Sequence, residues 1–302
     1  MSSSTDSTDS APQTGRIIGR GFLVAQSVLV GVILLALLHA PAQLANALTI
    51  SLRGQTPTGP GATPEQLLPV LLLSGVSFLL AIGVFFLFPL IQGGILGQVR
   101  HRLDSPDQPP RRFASYMRRH YLRLLGNEAV FTLITIAAIV PLLFVAAIVV
   151  VQGTTVGAEP PAPGDVERQL LSHPVFLGAM VLLSVLVSAL GMIYWVANCV
   201  VVAEGQSVGA SWRRSFQFCR ANFSACVAVW FVNLVAGAVL APLGMLGQLG
   251  VVTGTWALLG LALAYSVLIG YWGVITAGIS MSLYLGRRAR SESEEPAVPV
   301  TV

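Results

Sequence analysis

Six long apolar stretches, separated by polar segments, dominate the pattern of hydrophobic and polar positions along the 302-residue chain. A membrane-spanning helix needs about 20 apolar residues, because the hydrocarbon core of a bilayer is roughly 30 Å thick. None of the stretches carries a charge near its centre. They occupy residues 21–39, 67–90, 129–151, 174–203, 224–245 and 255–285. The pattern therefore predicts an all-α membrane protein with six transmembrane helices.

The composition supports a membrane protein and argues against a soluble domain. Hydrophobic residues make up 54% of the chain and charged residues only 10%, whereas soluble domains carry about 25% charged residues. The two ends are polar: residues 1–15 are rich in Ser and Thr, and residues 291–302 are acidic. We expect both ends to be disordered tails, which leaves residues 16–290 as the transmembrane domain.

The 17 basic residues are all arginine, and their distribution predicts how the chain is threaded. Fifteen of them precede the first stretch, follow the sixth, or lie between stretches two and three or four and five. Only Arg53 and Arg168 fall on the other side. Because cytoplasmic loops carry an excess of Arg and Lys, we expect a bacterial inner-membrane protein with both termini in the cytoplasm.

An alternative reading applies to the first stretch. Arg16 and Arg20, the apolar residues that follow, and small residues at 40–42 or 45–47 resemble a signal peptide with its cleavage site. Cleavage would leave five helices and a new N-terminus outside the cell.

Two predicted cytoplasmic segments have an aromatic face and an arginine-rich face. In residues 111–124, the first amphipathic segment, apolar side chains recur at steps of three and four; they are Phe113, Tyr116, Met117, His120, Tyr121 and Leu124. In residues 208–223, the second amphipathic segment, the corresponding positions are Val208, Trp212, Phe216, Cys219 and Phe223. Helices of this kind lie in the plane of the membrane interface. We therefore expect two interfacial helices that join transmembrane helices; the alternative is two ordinary cytoplasmic loops.

The interfacial interpretation assigns roles to the side chains of both segments. Each Arg near an anionic leaflet contributes about 1 kcal/mol of attraction. The predicted headgroup contacts are Arg111, Arg112, Arg118, Arg119, Arg213, Arg214 and Arg220. Aromatic rings prefer headgroup depth. The predicted aromatic anchors are Phe113, Tyr116, Tyr121, Trp212 and Phe216.

The two segments also align with each other at an offset of 95 residues. At this offset Asn127 falls on Asn222, and the pair Arg118–Arg119 falls on Arg213–Arg214. Each segment follows an inward-running helix and precedes an outward-running one, so the alignment predicts a parallel internal repeat. We expect each Asn to cap the N-terminus of the transmembrane helix that follows.

Residues 211–223, SWRRSFQFCRANF, and residues 89–94, PLIQGG, resemble a pattern found in bacterial multi-pass membrane domains of unknown function. These include the membrane domain attached to some glycerophosphodiester phosphodiesterases. The resemblance implies a six-helix arrangement. It implies no phosphodiesterase activity, because that chemistry belongs to a separate soluble barrel that these residues do not contain. The first amphipathic segment departs from the pattern, since His120 stands where the pattern has Ser.

Few residues suggest chemistry. The His and Cys residues show no metal-ligand spacing, and the chain has no Lys for a phosphate-binding P-loop. Glu128 and Glu204 flank predicted membrane helices; Glu128 suits the first turn of a helix, and Glu204 is expected to pair with Arg213 or Arg214. The polar residues predicted within helices that could line a pathway are Gln92, Asn198 and Asn233. We predict no catalytic residue, metal site or cofactor.

These patterns leave three classes of function. The leading hypothesis is a non-enzymatic module that contacts anionic lipid through its arginines and organises the bilayer or a partner. The alternative is a transporter or channel for a small or lipidic substrate, which requires a cavity at mid-bilayer depth lined by Asn198, Asn233 or Gln92. A membrane enzyme is the third class. The expected partners are lipids and either another membrane protein or a second copy of the chain, with no nucleic acid.

Overall fold

The computed structural model describes residues 15–16, 19–22, 24, 28–53, 64–108, 112–153, 173–246, 252 and 254–294. Seven helices contain nearly all of these residues, and the described ranges include no strand. The helices are α1 (Leu29–Arg53), α2 (Pro64–Asp104), α3 (Phe113–Gly153), α4 (Pro174–Glu204), α5 (Val208–Ala221), α6 (Phe223–Met245) and α7 (Thr255–Glu294). All except α5 are long and apolar enough to cross a membrane. The predicted all-α membrane fold with six spanning helices is confirmed.

One end of the bundle gathers the turns from α2 to α3 and from α4 to α5 and the last part of α7; we call it the Arg-rich end. Arg100 of α2 donates from Nη1 to the carbonyl oxygen of Val202 at 2.7 Å. Arg123 of α3 donates to the carbonyl oxygen of Gly205. Because the last carbonyls of a helix have no partner within it, these two guanidinium groups stabilise the end of α4 and tie it to α2 and α3.

The chain turns sharply between α4 and α5 because Gly205 adopts a left-handed conformation, with φ of +68°. Its backbone N–H donates to the carbonyl oxygen of Val201 at 2.9 Å, which closes the last turn of α4. Glycine is the residue that most readily adopts this conformation at a helix end. The turn places α5 across the Arg-rich end as a separate short helix.

Buried residues concentrate in the half of the bundle nearest the Arg-rich end. In α2 no residue from 68 to 88 is buried, whereas residues 91–97 are. In α4 no residue from 174 to 191 is buried, whereas residues 196–203 are. Apolar side chains lose little by facing lipid, because lipid chains are as apolar as a protein core. We refer to the two regions as the packed half and the lipid-facing half.

Helices α1 and α7 differ from the others because they pack against each other over much of their length. Ala45 and Ala47 of α1 and Leu258 and Ala262 of α7 are buried far from the Arg-rich end. At Gly270 an added Cβ would lie 2.9 Å from the α1 backbone. A small residue at this point lets the two backbones approach closely.

The first spanning helix is displaced from the predicted stretch, residues 21–39. Residues 19–22 are helical, but α1 itself begins at Leu29 and continues to Arg53. Gly21 is buried against the backbone of Gly278 in α7, whereas Arg20 and Phe22 beside it are exposed. The alternative cleavage sites, at 40–42 and 45–47, lie inside α1.

The predicted tails are only partly within the described residues. Helix α7 continues to Glu294, into the predicted tail of residues 291–302. Residues 1–14 and 295–302 lie outside the described part of the chain.

Candidate functional site

The sequence pattern predicted a separate interfacial helix for the first amphipathic segment, but the segment is the first part of a longer helix. Helix α3 begins at Phe113 and continues without a break to Gly153. The apolar face of the segment packs on glycines of α2: an added Cβ at Gly97 would lie 2.6 Å from the ring of Tyr116, and one at Gly94 would collide with Phe113. Part of the apolar face of the segment therefore packs on protein.

The remaining side chains of the first segment divide between solvent and protein. Arg112, Arg118 and Arg119 are exposed, and Tyr121 is half-buried. His120 and Leu124 are buried against the packed half. Arg111 lies outside the described residues. Of the predicted aromatic anchors, Phe113 and Tyr116 thus contact α2.

The second amphipathic segment forms the separate helix α5, and its most buried face is polar. Ser211 and Ser215 are completely buried. Ser215 donates from Oγ to the carbonyl oxygen of Ile193 in α4 at 2.6 Å. Trp212 is half-buried, and 61% of Phe216 is exposed. The predicted headgroup contacts on this helix are exposed as well; they are Arg213, Arg214 and Arg220.

The two aligned asparagines do not cap helices as predicted. Asn127 lies inside α3 and is completely buried; because α3 begins at Phe113, no free N–H group of a helix start is near it. Asn222 occupies the position before α6, but its side chain makes no capping bond. It donates instead from Nδ2 to the carbonyl oxygen of Phe218 at 3.1 Å, at the end of α5.

A buried polar cluster links four helices close to the Arg-rich end. Asn127 Nδ2 donates to Asn198 Oδ1 at 2.9 Å, and Ser211 Oγ donates to Asn127 Oδ1 at 3.1 Å. Gln92 Oε1 accepts from Asn198 Nδ2 at 3.2 Å and lies 3.2 Å from the hydroxyl oxygen of Tyr194. Hydrogen bonds between buried side chains of different helices hold those helices in fixed relative positions.

Glu128 lies beside this cluster and faces a cavity. The prediction that it stands in the first turn of a helix is wrong, because it follows Phe113 by about four turns of α3. It accepts a hydrogen bond from the hydroxyl of Tyr194. The ring of Tyr194 stacks on Phe131, with ring centroids 4.7 Å apart. Tyr194 therefore connects the carboxylate to the polar cluster and is held in position by an aromatic neighbour.

A cavity of about 490 Å³ lies between the packed half and the lipid-facing half. All six spanning helices contribute to its wall. The lining residues are Leu35, His39, Val84, Phe85, Phe88, Glu128, Ser188, Gly191, Met192, Trp195, Trp230, Asn233, Leu240, Ile269, Trp272, Gly273 and Thr276. None of them is exposed and most are half-buried, as expected for the wall of a cavity that can be reached from the surface.

Most polar side chains of the wall are bonded to each other or to the helices. Asn233 Oδ1 accepts from Trp272 Nε1 at 3.1 Å and from Thr276 Oγ1 at 2.7 Å. Trp230 Nε1 donates to Ser188 Oγ at 2.9 Å. Among the predicted pathway residues, Asn233 lines the cavity, whereas Gln92 and Asn198 belong to the neighbouring cluster. Sequence reasoning missed the tryptophans, although three of the five in the chain lie in this wall.

Glu204 pairs with a different partner from the one predicted. Its Oε1 lies 3.5 Å from Nη1 of Arg288 in α7, and it accepts a hydrogen bond from Tyr284. Arg213 and Arg214 line an open depression of about 330 Å³ beside it. Helix α7 had no predicted role at this end, so the sequence offered no reason to prefer Arg288.

Comparison of the chain with known proteins identifies no relative. No protein family model matches the chain, no curated protein matches it, and no solved structure matches it. The resemblance to bacterial membrane domains and the parallel repeat therefore remain predictions. Among the described residues, no three His, Cys, Asp or Glu side chains come together as metal ligands would.

Proposed function

We propose that this protein holds a small, largely apolar molecule in the central cavity and exchanges it with the surrounding lipid. The observation that carries the proposal is the cavity itself, whose wall contains Asn233 as the transporter hypothesis required. Its volume of about 490 Å³ falls within the range of roughly 300–1,000 Å³ that is usual for small-molecule sites.

The position of the cavity supports entry from the membrane. Its wall joins Leu35, Phe88 and Met192, near the packed half, to Leu240 and Ile269, which lie further into the lipid-facing half. The helix surfaces of that half present apolar side chains outward, such as Phe86 and Leu186. An apolar ligand dissolved in lipid would meet mainly apolar side chains on the described surface of this half.

A second role is supported by a different surface. Phe216 and Phe223 are 61% and 71% exposed at the Arg-rich end, next to the exposed arginines of α5. Exposed aromatic rings beside guanidinium groups suit an anionic membrane surface. We propose that α5 rests on the cytoplasmic leaflet of the bacterial inner membrane, with both termini on that side. Contact with lipid headgroups there would anchor the bundle around its cavity.

Filling the cavity tests the first proposal. Gly191 lines the cavity and an added Cβ there would meet no atom within 4 Å, so we expect the side chain of Gly191→Phe to occupy part of the cavity. We expect this variant in nanodiscs to bind the neutral apolar dye phenylnaphthylamine at least ~10-fold more weakly. Binding is read as energy transfer from tryptophan, with empty nanodiscs as the blank.

Gly178→Phe provides the matched control, because Gly178 lies on the same helix, is exposed, does not line the cavity and also has open space at its Cβ. It should bind the dye as the unmodified protein does. Equal dye binding by all three proteins would refute the proposal.

A further inference from the structure

We propose that the cavity selects a hydrophobic organic cation, that is, an amine or quaternary ammonium group carried on an apolar body. The inference rests on the proposed function and names the ligand class of the same site. Three features of the cavity wall support it: a carboxylate, the indole rings, and the hydrogen bonds that other polar side chains of the wall already make.

The charges of the wall favour a positive ligand. Among the described residues that line the wall, Glu128 and His39 are the ionisable ones, and none is an arginine. A carboxylate attracts a cation strongly where water is scarce, because the Coulomb energy rises as the effective dielectric constant falls. Ionisable groups within membrane segments are costly, and they usually face a cavity or pathway. Glu128 fits that description.

The hydroxyl of Tyr194 fixes the carboxylate in place. The Tyr194 hydroxyl donates to Glu128, its oxygen lies 3.2 Å from Gln92 Oε1, and its ring stacks on Phe131. The Glu128 side chain is therefore held at the wall by a side chain that is itself immobilised. A ligand cation meets a carboxylate whose position is already set, which lowers the entropic cost of binding.

The tryptophans supply ring surface to the ligand. Trp230 and Trp272 use their N–H groups to bond Ser188 and Asn233. Their indoles are thereby held in place, with the N–H edge engaged by the wall. The face of an indole carries partial negative charge and attracts alkylammonium groups. Together with Trp195, these residues give the apolar wall an affinity for a cation that an aliphatic wall would lack.

Two of the remaining polar groups of the wall, Asn233 and Thr276, are already bonded to each other or to the helices. Asn233 donates from Nδ2 to the carbonyl oxygen of Val229, and its Oδ1 accepts two bonds. Thr276 donates to Asn233, and Ser188 accepts from Trp230. Hydrogen bonding of a ligand to Asn233 or Thr276 would require their bonds to break, whereas attraction of a cation to Glu128 leaves them intact.

Two ions of nearly identical shape test the proposal on the whole protein in nanodiscs of zwitterionic lipid. We expect tetraphenylphosphonium to bind at least ~10-fold more tightly than tetraphenylborate, after subtraction of uptake by empty nanodiscs. Glu128→Gln should weaken phosphonium binding at least ~10-fold, and it should change phenylnaphthylamine binding far less. Glu204→Gln, the same change at a residue outside the cavity wall, should leave both unchanged.

The outcomes separate the ligand class from the cavity function. Equal binding of the two ions, or full phosphonium binding by Glu128→Gln, would overturn the cation proposal even while the neutral dye still binds. Loss of any difference between Gly191→Phe and Gly178→Phe would overturn the cavity function itself. If Glu128→Gln fails to fold, the comparison of the two ions on the unmodified protein still decides, and Trp230→Leu should weaken phosphonium binding more than dye binding.

Discussion

The two amphipathic segments have similar sequences but different structures. The first is the beginning of the continuous helix α3, and its aromatic side chains lie on glycines of α2. The second is the separate helix α5, which is attached through buried serines and leaves Phe216 exposed. The same pattern of aromatic and basic residues thus faces protein in one case and the surroundings in the other. The environment of the aromatic side chains is therefore decided by the helix that packs against the segment, and not by the sequence of the segment itself.

The largest expected effect follows from disrupting the packing of the first segment against α2. Gly97→Leu in α2 should lower the free energy of unfolding by about 3 kcal/mol, because its Cβ would lie 2.6 Å from the ring of Tyr116. Thermal unfolding in detergent measures the loss. Gly83→Leu in the same helix and Gly209→Leu in α5 should cost far less, since an added Cβ at either position meets no atom within 4 Å. Equal destabilisation by all three would contradict the comparison.

An intermediate effect is expected at the aligned asparagines. Asn127→Leu should cost about 2 kcal/mol, because it leaves the buried Oδ1 of Asn198 without its donor and removes the acceptor that links Ser211 of α5 to α3. Asn222→Leu should cost at most about 1 kcal/mol, because only one half-buried bond to Phe218 is lost. The same unfolding assay compares them. A larger loss of stability in Asn222→Leu than in Asn127→Leu would contradict the conclusion that Asn127 is the asparagine that links the helices.

The smallest effect on stability, and the clearest on lipid, is expected at the arginine pairs. Replacing Arg213 and Arg214 with Gln should change the free energy of unfolding by less than about 0.5 kcal/mol. It should reduce retention of phosphatidylglycerol in mixed micelles between about five- and thirtyfold at low salt. Replacing Arg118 and Arg119 removes the same charge and should have a weaker effect, because the aromatic face of that segment is occupied by α2.

The salt dependence of lipid retention sharpens this last comparison. The difference between the two variants should shrink as salt screens exposed charges. If both double substitutions reduced lipid retention equally, or if the difference between them did not change with salt, the exposed ring of Phe216 would not account for a difference between the two segments.

The candidate site could be predicted only in part. Asn233 was recognisable as a polar residue inside an apolar stretch, and it does line the cavity. Asn127 resembled a helix cap because the apolar stretch begins just after it, yet α3 begins at Phe113. A local pattern shows that a residue is polar within an apolar environment, but the partner of that residue comes from a distant part of the chain. The two partners of Asn127 are Asn198 and Ser211, which are 71 and 84 residues away along the chain.

The sequence by itself determined that six helices span a membrane, because hydropathy and length are properties of each stretch alone. It also determined where the arginines cluster. Only the tertiary structure decided that Arg100 and Arg123 bind the end of α4, that Glu204 pairs with Arg288, and that tryptophans from three helices meet around a cavity. The physical reason is that lipid and protein interior are equally apolar, so the apolar side chains of a membrane helix do not specify which of the two they will face.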